Sequence, residues 1–118
     1  MKNIAPQIIR QRLLIEAKYK IEVDKEKVND YLLGIAKELG LRTYGEPIIH
    51  SPGGEGKDVN QGYDAFVPLI DSGICLYIWT NEKFMSCVLY TCKEFSVDKA
   101  VNFTKRFFDT IELEYQEF

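Results

Sequence analysis

The sequence is poor in the residues that build most metal centres and many nucleophilic sites. Its 118 residues include one histidine, His50, and three cysteines, Cys75, Cys87 and Cys92. A metal site with several histidines is therefore largely excluded, and the cysteines have neither zinc-finger nor thioredoxin spacing. We expect no bound metal. An odd number of cysteines in strand-like segments is typical of a reducing cytosol.

Long apolar runs and an excess of positive charge are also absent. No window approaches the ~18 uninterrupted apolar residues of a membrane span. The N-terminal MKNIAPQIIRQR has no signal-peptide pattern. A net charge of -3 argues against a nucleic-acid-binding face. We therefore expect a cytoplasmic protein that binds neither membranes nor nucleic acids.

What is present is the pattern of one α+β domain covering residues 1–118. Asp24 caps a first helix that ends at Gly40, and Ser96 caps a second. The first helix carries one apolar stripe, formed by Val28, Tyr31, Leu32, Ile35, Ala36 and Leu39. The pattern thus predicts two amphipathic helices, each needing an apolar surface to cover.

Strand patterns supply that surface. Three consecutive strands are predicted at Tyr63–Ile70, Ile74–Trp79 and Met85–Cys92, with a first strand at Arg12–Ile21 and a closing strand at Ile111–Phe118. The order β-α-β-β-β-α-β predicts a two-layer sandwich, a mostly antiparallel sheet with helices on one face. The second face of the sheet is also apolar. We therefore expect a homodimer or higher homo-oligomer to cover it.

The Gly-rich stretch from Ser51 to Gly62 contains GGEGK but lacks the glycine and hydroxyl positions of a Walker A motif. We interpret it as a flexible surface loop or a lid. The stretch Asp71-Ser72-Gly73 has turn composition. A two-residue turn at Glu82-Lys83 would place Gly73 opposite Cys92, and Ser72, Cys92, Tyr77 and Trp79 would then line one patch. By pattern alone, three core side chains beside an ordinary turn are the favoured explanation, since turns routinely carry Asp, Ser and Gly.

The segment IDSGICLYIWTNEKFMSCVLYTCKEFSVDKAVNF resembles the central segment of the small prokaryotic S-adenosylmethionine decarboxylases. That family reads E-S-H-x-x-x-H-x-W-P-E, then F-T-C-G and a D-x-x-K-A helix. The spacing from Ser72 to Cys92 and the tryptophan at position 79 both fit. The stretch His50 to Gly53 is similar to the family's H-x-F-S-P-x-G, and a weaker similarity extends over about residues 12–110.

The resemblance implies a role for each matching residue. The chain would cut itself between Asp71 and Ser72, and Ser72 would become a pyruvoyl group that takes up electrons during decarboxylation. Cys92 would donate a proton to the decarboxylated carbon. Trp79 would form a wall of the substrate pocket, and Asn81 occupies a substrate-binding position.

The sequence also departs from the family pattern. Tyr77 occupies the position of the histidine that helps to process the chain, and a phenol with a pKa of about 10 is a poor base at neutral pH. Gly73 replaces a second histidine. Thr80-Asn81 replaces Pro-Glu and so removes a carboxylate expected to bind the ribose of the substrate.

Two hypotheses follow. In the first, the chain is a pyruvoyl-dependent decarboxylase of S-adenosylmethionine or a related amino acid, a homodimer in polyamine (spermidine) biosynthesis. In the second, it is an uncleaved homologue without a cofactor, which binds a nucleoside-like or amine ligand or regulates a paralogue. The retained Ser72, Cys92 and Trp79 favour the first, and the changes at Tyr77 and Asn81 favour the second.

Overall fold

A computed structural model describes residues 1–118 and contains one six-stranded antiparallel sheet. The strands lie side by side in the order β2-β3-β4-β5-β1-β6. The expected α+β sandwich is confirmed. The sequence pattern also indicates a strand at Leu41–His50, broken at Gly45-Glu46-Pro47, and only its end, Ile48–His50, forms a strand, β2, which pairs with β3. The strand bounds are β1 Gln11–Tyr19, β2 Ile48–His50, β3 Gly62–Leu69, β4 Ser72–Trp79, β5 Phe84–Thr91 and β6 Thr110–Glu117.

Both helices begin after the residues predicted to cap them. The Asp24 carboxylate accepts a hydrogen bond of 2.8 Å from the Lys27 N–H before helix α1, Lys25–Glu38. The Ser96 hydroxyl accepts one from Lys99 before helix α2, Val97–Phe108. These bonds satisfy backbone donors that have no partner within the helix. The buried hydroxyls of Tyr31 and Thr104, 2.8 Å apart, link the two helices.

The two faces of the sheet differ in what covers them. Successive side chains of a strand point to opposite faces, and Ile74, Leu76 and Ile78 of β4 are buried beneath the helices. We call the opposite side, which no helix covers, the open face. Its central side chains are Phe66 on β3, Cys75, Tyr77 and Trp79 on β4, and Phe84, Val88 and Tyr90 on β5. Neither α1 nor α2 has the length and hydrophobicity of a membrane-spanning helix.

The hairpin between β4 and β5 has a different register from the predicted one. Its connection has four residues, Thr80–Lys83, so Trp79 pairs with Phe84. The N–H and hydroxyl of Thr80 both donate to the Gln61 carbonyl, at 2.9 and 3.1 Å, and this holds the longer connection in place. A shift of two residues leaves every side chain on its predicted face.

Candidate active site

The connection between β3 and β4 is a two-residue turn. Leu69 pairs with Ser72, so only Ile70 and Asp71 form the turn. The predicted turn at Asp71-Ser72-Gly73 is therefore wrong, because Ser72 and Gly73 already belong to β4. Ser72 is fixed from both sides, since it also pairs with Thr91 of β5.

Ser72 has a backbone conformation that side chains rarely adopt. Its φ of 123° lies in a region that favours glycine. A residue held in such a region costs about 1–3 kcal/mol and persists only when the surrounding structure imposes it. The tight turn and the two flanking strands impose it here. Strain of this kind is concentrated at functional sites.

Asp71 carries a buried carboxylate whose two oxygens are both bonded to Arg42. The Arg42 Nη2 donates to Oδ1 at 3.0 Å, and the Arg42 backbone N–H donates to Oδ2 at 3.2 Å. These bonds lower the pKa of Asp71, the guanidinium bond most of all, and the same bond raises the pKa of Arg42. The carboxylate thus stays ionised although it is only 5% exposed.

Cys92 lies next to this turn, at the end of β5. Its backbone N–H donates to the carbonyl oxygen of Asp71 at 2.9 Å, and its thiol is exposed. The expected opposition of Cys92 to Gly73 is wrong because of the changed register; Gly73 pairs with Tyr90 instead. We call Arg42, Asp71, Ser72 and Cys92 the turn cluster.

Gly73 is required by a neighbouring aromatic ring. A Cβ atom at this position would lie 2.5 Å from Cε1 and 2.7 Å from Cζ of Phe66. Phe66 lies on β3, on the open face and 37% exposed. The phenyl ring thus covers the backbone at the position where the family pattern has a histidine side chain.

At the other end of β4, two predicted substrate-binding residues hold the Gly-rich loop. The Trp79 Nε1–H donates to Asn60 Oδ1 at 3.3 Å, and the Asn81 amide donates to the Asp58 carbonyl at 2.7 Å. Asp58–Asn60 forms a short 3-10 helix. The loop therefore folds against the end of β4, and the amide of Asn81 is already engaged.

Tyr77 lies on the open face between Asp64 on β3 and Ser86 on β5. Its pKa is raised above 10.0, first by hydrogen bonding with the Cys75 thiol. The charge of Cys75, burial of the phenol and the charge of the Asp64 carboxylate raise it further. Tyr77 is therefore a neutral phenol near pH 7. A cavity of about 250 Å³ adjoins it, lined by Pro52, Asn60, Tyr63, Asp64, Tyr77, Ile78 and Trp79. We call Asn60, Asp64, Tyr77, Trp79 and Asn81 the loop cluster.

The two clusters are far apart within one chain. Tyr77 follows Ser72 by five residues of extended strand, which at about 3.4 Å per residue is a separation of about 17 Å. The expected single patch is therefore wrong for one chain. The serine and the thiol share one end of β4, and the phenol and the indole share the other.

Several residues in or beside these clusters were not found from the sequence, among them Arg42, Asp64 and Phe66. Arg42 reaches Asp71 from 29 residues away, and no local motif indicates the pairing. Phe66 and Asp64 reach β4 through the β3 register. The alternation of side chains on predicted β3 could have found them, once the two-residue turn was known.

Comparisons with known proteins agree with this architecture. The sequence profile of the family described as S-adenosylmethionine decarboxylase matches residues 14–118. Among solved structures, the adenosylmethionine decarboxylase from Aquifex aeolicus VF5 superposes with a TM-score of 0.72. The two sequences are 18% identical, and the match covers 94% of this chain and 89% of the other. No curated protein matches the sequence. Since the profile spans most of the sequence, the chain belongs to the S-adenosylmethionine decarboxylase family.

Proposed function

We propose that this chain is a pyruvoyl-dependent decarboxylase of S-adenosylmethionine or a related amino acid, acting in polyamine synthesis in the cytoplasm, with Ser72 as the pyruvoyl precursor. The observation that carries the proposal is the geometry of the Asp71–Ser72 bond. Ser72 is strained, and the carbonyl oxygen before it accepts the Cys92 N–H. Family membership supports the reaction class.

The geometry suits an attack of Ser72 on the preceding peptide carbonyl. The Ser72 Oγ forms a bond to the Asp71 carbonyl carbon, the C–N bond breaks, and an ester replaces the amide. Negative charge develops on the Asp71 carbonyl oxygen, where the Cys92 N–H already donates at 2.9 Å. A fixed donor at a developing oxyanion is a main source of catalytic stabilisation. Breaking this bond also releases the strain at Ser72.

The ester is then removed by elimination. A base takes the Cα proton of Ser72, the Cβ–O bond breaks, and Asp71 leaves as the C-terminal carboxylate of the first chain. Water converts the remaining dehydroalanine to a pyruvoyl group as ammonia leaves. The pyruvoyl group supplies a carbonyl that accepts the substrate amine and takes up electrons when CO₂ departs. The exposed Cys92 thiol lies beside Ser72, where it can return a proton to the substrate carbon.

In this proposal, the loop cluster of one chain completes the active site formed by the turn cluster of a second copy. Within one chain, Tyr77 is about 17 Å from Ser72, beyond any direct contact. Two copies could pack with their open faces together, related by a two-fold axis that lies between the sheets and runs across β4 at the level of Cys75. The loop cluster of each copy would then meet the turn cluster of the other. The exposed Phe66, Tyr77 and Tyr90 supply apolar surface for such a homodimer.

Mass spectrometry under denaturing conditions tests the self-processing. The proposal expects two fragments, residues 1–71 and 72–118, with the second lighter by one ammonia than simple hydrolysis would leave it. A single species of 13.7 kDa that persists for days would contradict the proposal and favour the uncleaved, ligand-binding homologue. Incubating the cleaved protein with S-adenosylmethionine and measuring the CO₂ released then tests the substrate.

Subunit complementation tests the shared site. Ser72→Ala lacks the nucleophile but keeps the loop cluster, whereas Trp79→Ala keeps the nucleophile and loses the pocket wall. We expect neither variant alone to decarboxylate substrate at the normal rate, and co-expressed chains to recover part of the activity. If co-purified hetero-dimers of the two variants recover no decarboxylase activity, the site is not shared and each chain carries a complete site.

A further inference from the structure

The segment that follows α1 contacts both residues of the two-residue turn. Arg42 accepts the Ile70 N–H at its carbonyl oxygen, at 2.8 Å, and donates to both oxygens of the Asp71 carboxylate. Thr43 forms a bridge with Leu69, and the Tyr44 N–H donates to the Pro68 carbonyl at 3.1 Å. One short segment thus holds the chain on the N-terminal side of the Asp71–Ser72 bond.

This segment is itself firmly anchored. Leu41 is buried, and its N–H donates to the Ala36 carbonyl at 2.8 Å, which ties it to the end of α1. Lys93 is the residue that follows Cys92, and its ammonium group donates a hydrogen bond of 2.9 Å to the Gly40 carbonyl. Helix α1, the turn and the end of β5 are therefore linked through the residues on either side of Arg42.

We infer that Arg42 is a positioning residue for the proposed self-processing: by fixing Ile70 and Asp71, it holds the scissile carbonyl against the Cys92 N–H. Arg42 forms hydrogen bonds with Asp71 and Ile70 and none with Ser72, so its effect passes through the turn. A planar guanidinium suits this role because it keeps its charge and presents donors in a rigid fork. The inference rests on the proposed function for its chemical consequence, but the positioning can be measured without any cleavage.

Hydrogen exchange at the Cys92 amide measures the positioning directly. In the full chain with Ser72→Ala, which cannot cut itself, we expect Arg42→Gln to accelerate exchange at this amide by about tenfold, because the carbonyl that accepts it is no longer held. The matched control is Arg106→Gln. Arg106 also pairs with a carboxylate, that of Glu38, and its side chain is 64% exposed like that of Arg42. We expect this control to leave the Cys92 amide unchanged.

A double-mutant cycle separates positioning from general destabilisation. If Arg42 acts through Asp71, Arg42→Gln in an Asp71→Asn background should change exchange at the Cys92 amide by less than about twofold. This double variant also leaves no unpaired buried carboxylate, so it tests the inference even if Arg42→Gln alone folds poorly. Arg42→Lys, which keeps the charge but loses the fork, should fall between the wild-type side chain and glutamine.

The processing rate completes the test. With Ser72 intact, Arg42→Gln should slow the appearance of the 72–118 fragment by about tenfold or more, with partial rescue by lysine. An unchanged rate, unchanged exchange at the Cys92 amide, or additive effects of Arg42→Gln and Asp71→Asn would each overturn the inference. If the wild-type chain stays uncleaved while the exchange results hold, the proposed function fails and the positioning of the turn by Arg42 stands.

Discussion

At one end of β4 the polar groups act on the backbone of the chain, whereas at the other end they hold a surface loop. In the turn cluster, Arg42 binds the Asp71 carboxylate and accepts the Ile70 N–H, and the Cys92 N–H donates to the Asp71 carbonyl. In the loop cluster, Trp79 and Asn81 donate to the residues of the 3-10 helix. By resemblance to the family pattern, the turn cluster has the expected serine and cysteine, whereas Tyr77 and Asn81 of the loop cluster stand where the pattern has a histidine and a glutamate. The two ends of β4 therefore match the family pattern to different extents.

The largest expected effect is the loss of cleavage when the serine of the turn cluster is replaced. Ser72→Ala should abolish cleavage, because the proposed ester forms on the hydroxyl of the residue that follows the Asp71 carbonyl. Ser86→Ala is the matched control, since Ser86 lies on the open face beside Tyr77 and not at the turn. Denaturing mass spectrometry of both variants measures the cleaved fraction. Cleavage that persists in Ser72→Ala would remove the turn cluster from the mechanism.

A second prediction restores the missing base in the loop cluster. Tyr77→His should raise the processing rate by about a hundredfold near pH 7, because imidazole accepts a proton there and a phenol does not. Since the pKa of Tyr77 is raised above 10.0, the wild-type rate should still be rising with pH at about 10, whereas the variant should level off above pH ~6.5.

The control for this prediction is Tyr115→His, which places the same side chain at an exposed position on the edge strand β6, three strands away from β4. Processing followed by mass spectrometry across the pH range gives both rates. Equal rates and equal pH profiles for the two histidine variants would show that position 77 takes no part in processing.

A third, smaller effect concerns the loop alone. Asn81→Ala removes the bond to the Asp58 carbonyl, worth about 1 kcal/mol, and should raise the open population of the loop about fivefold. Limited trypsin digestion at Lys57 measures it, with Asn102→Ala on the exposed surface of α2 as the control. Equal digestion of both variants would mean that Asn81 does not hold the loop.

The smallest predicted effect is on stability and concerns the strain at Ser72. Ser72→Gly and Ser72→Ala both remove the nucleophile, but only glycine tolerates a φ of 123° without strain. We expect the glycine variant to have a free energy of unfolding about 1 kcal/mol higher than the alanine variant, measured by urea denaturation. Equal stabilities would mean that position 72 is unstrained and that strain does not assist the cleavage.

The sequence predicted the helices and the sheet faces because these depend on local periodicity. Asp24 and Ser96 carry capping side chains next to regular apolar stripes, and both caps form. The side chains of β4 also lie on the predicted faces, since a register error of two residues changes no face.

The connections could not be predicted in the same way, because distant residues decide them. The four-residue turn before Phe84 depends on Gln61, which accepts two hydrogen bonds from Thr80. The two-residue turn at Asp71 depends on Arg42. Neither partner is indicated by residues near the turn, so the position of Ser72 in a strand was missed.

The position of the Asp71–Ser72 bond in the topology has a consequence for the form of the protein after cleavage. Residues 1–71 carry β1, β2 and β3, and residues 72–118 carry β4, β5 and β6. In the sheet these two sets are interleaved, since β3 pairs with β4, and β1 lies between β5 and β6. Two cut pieces could separate only by opening three strand pairings and the common core. A cleaved molecule would therefore keep its fold while gaining a new chain end at its centre.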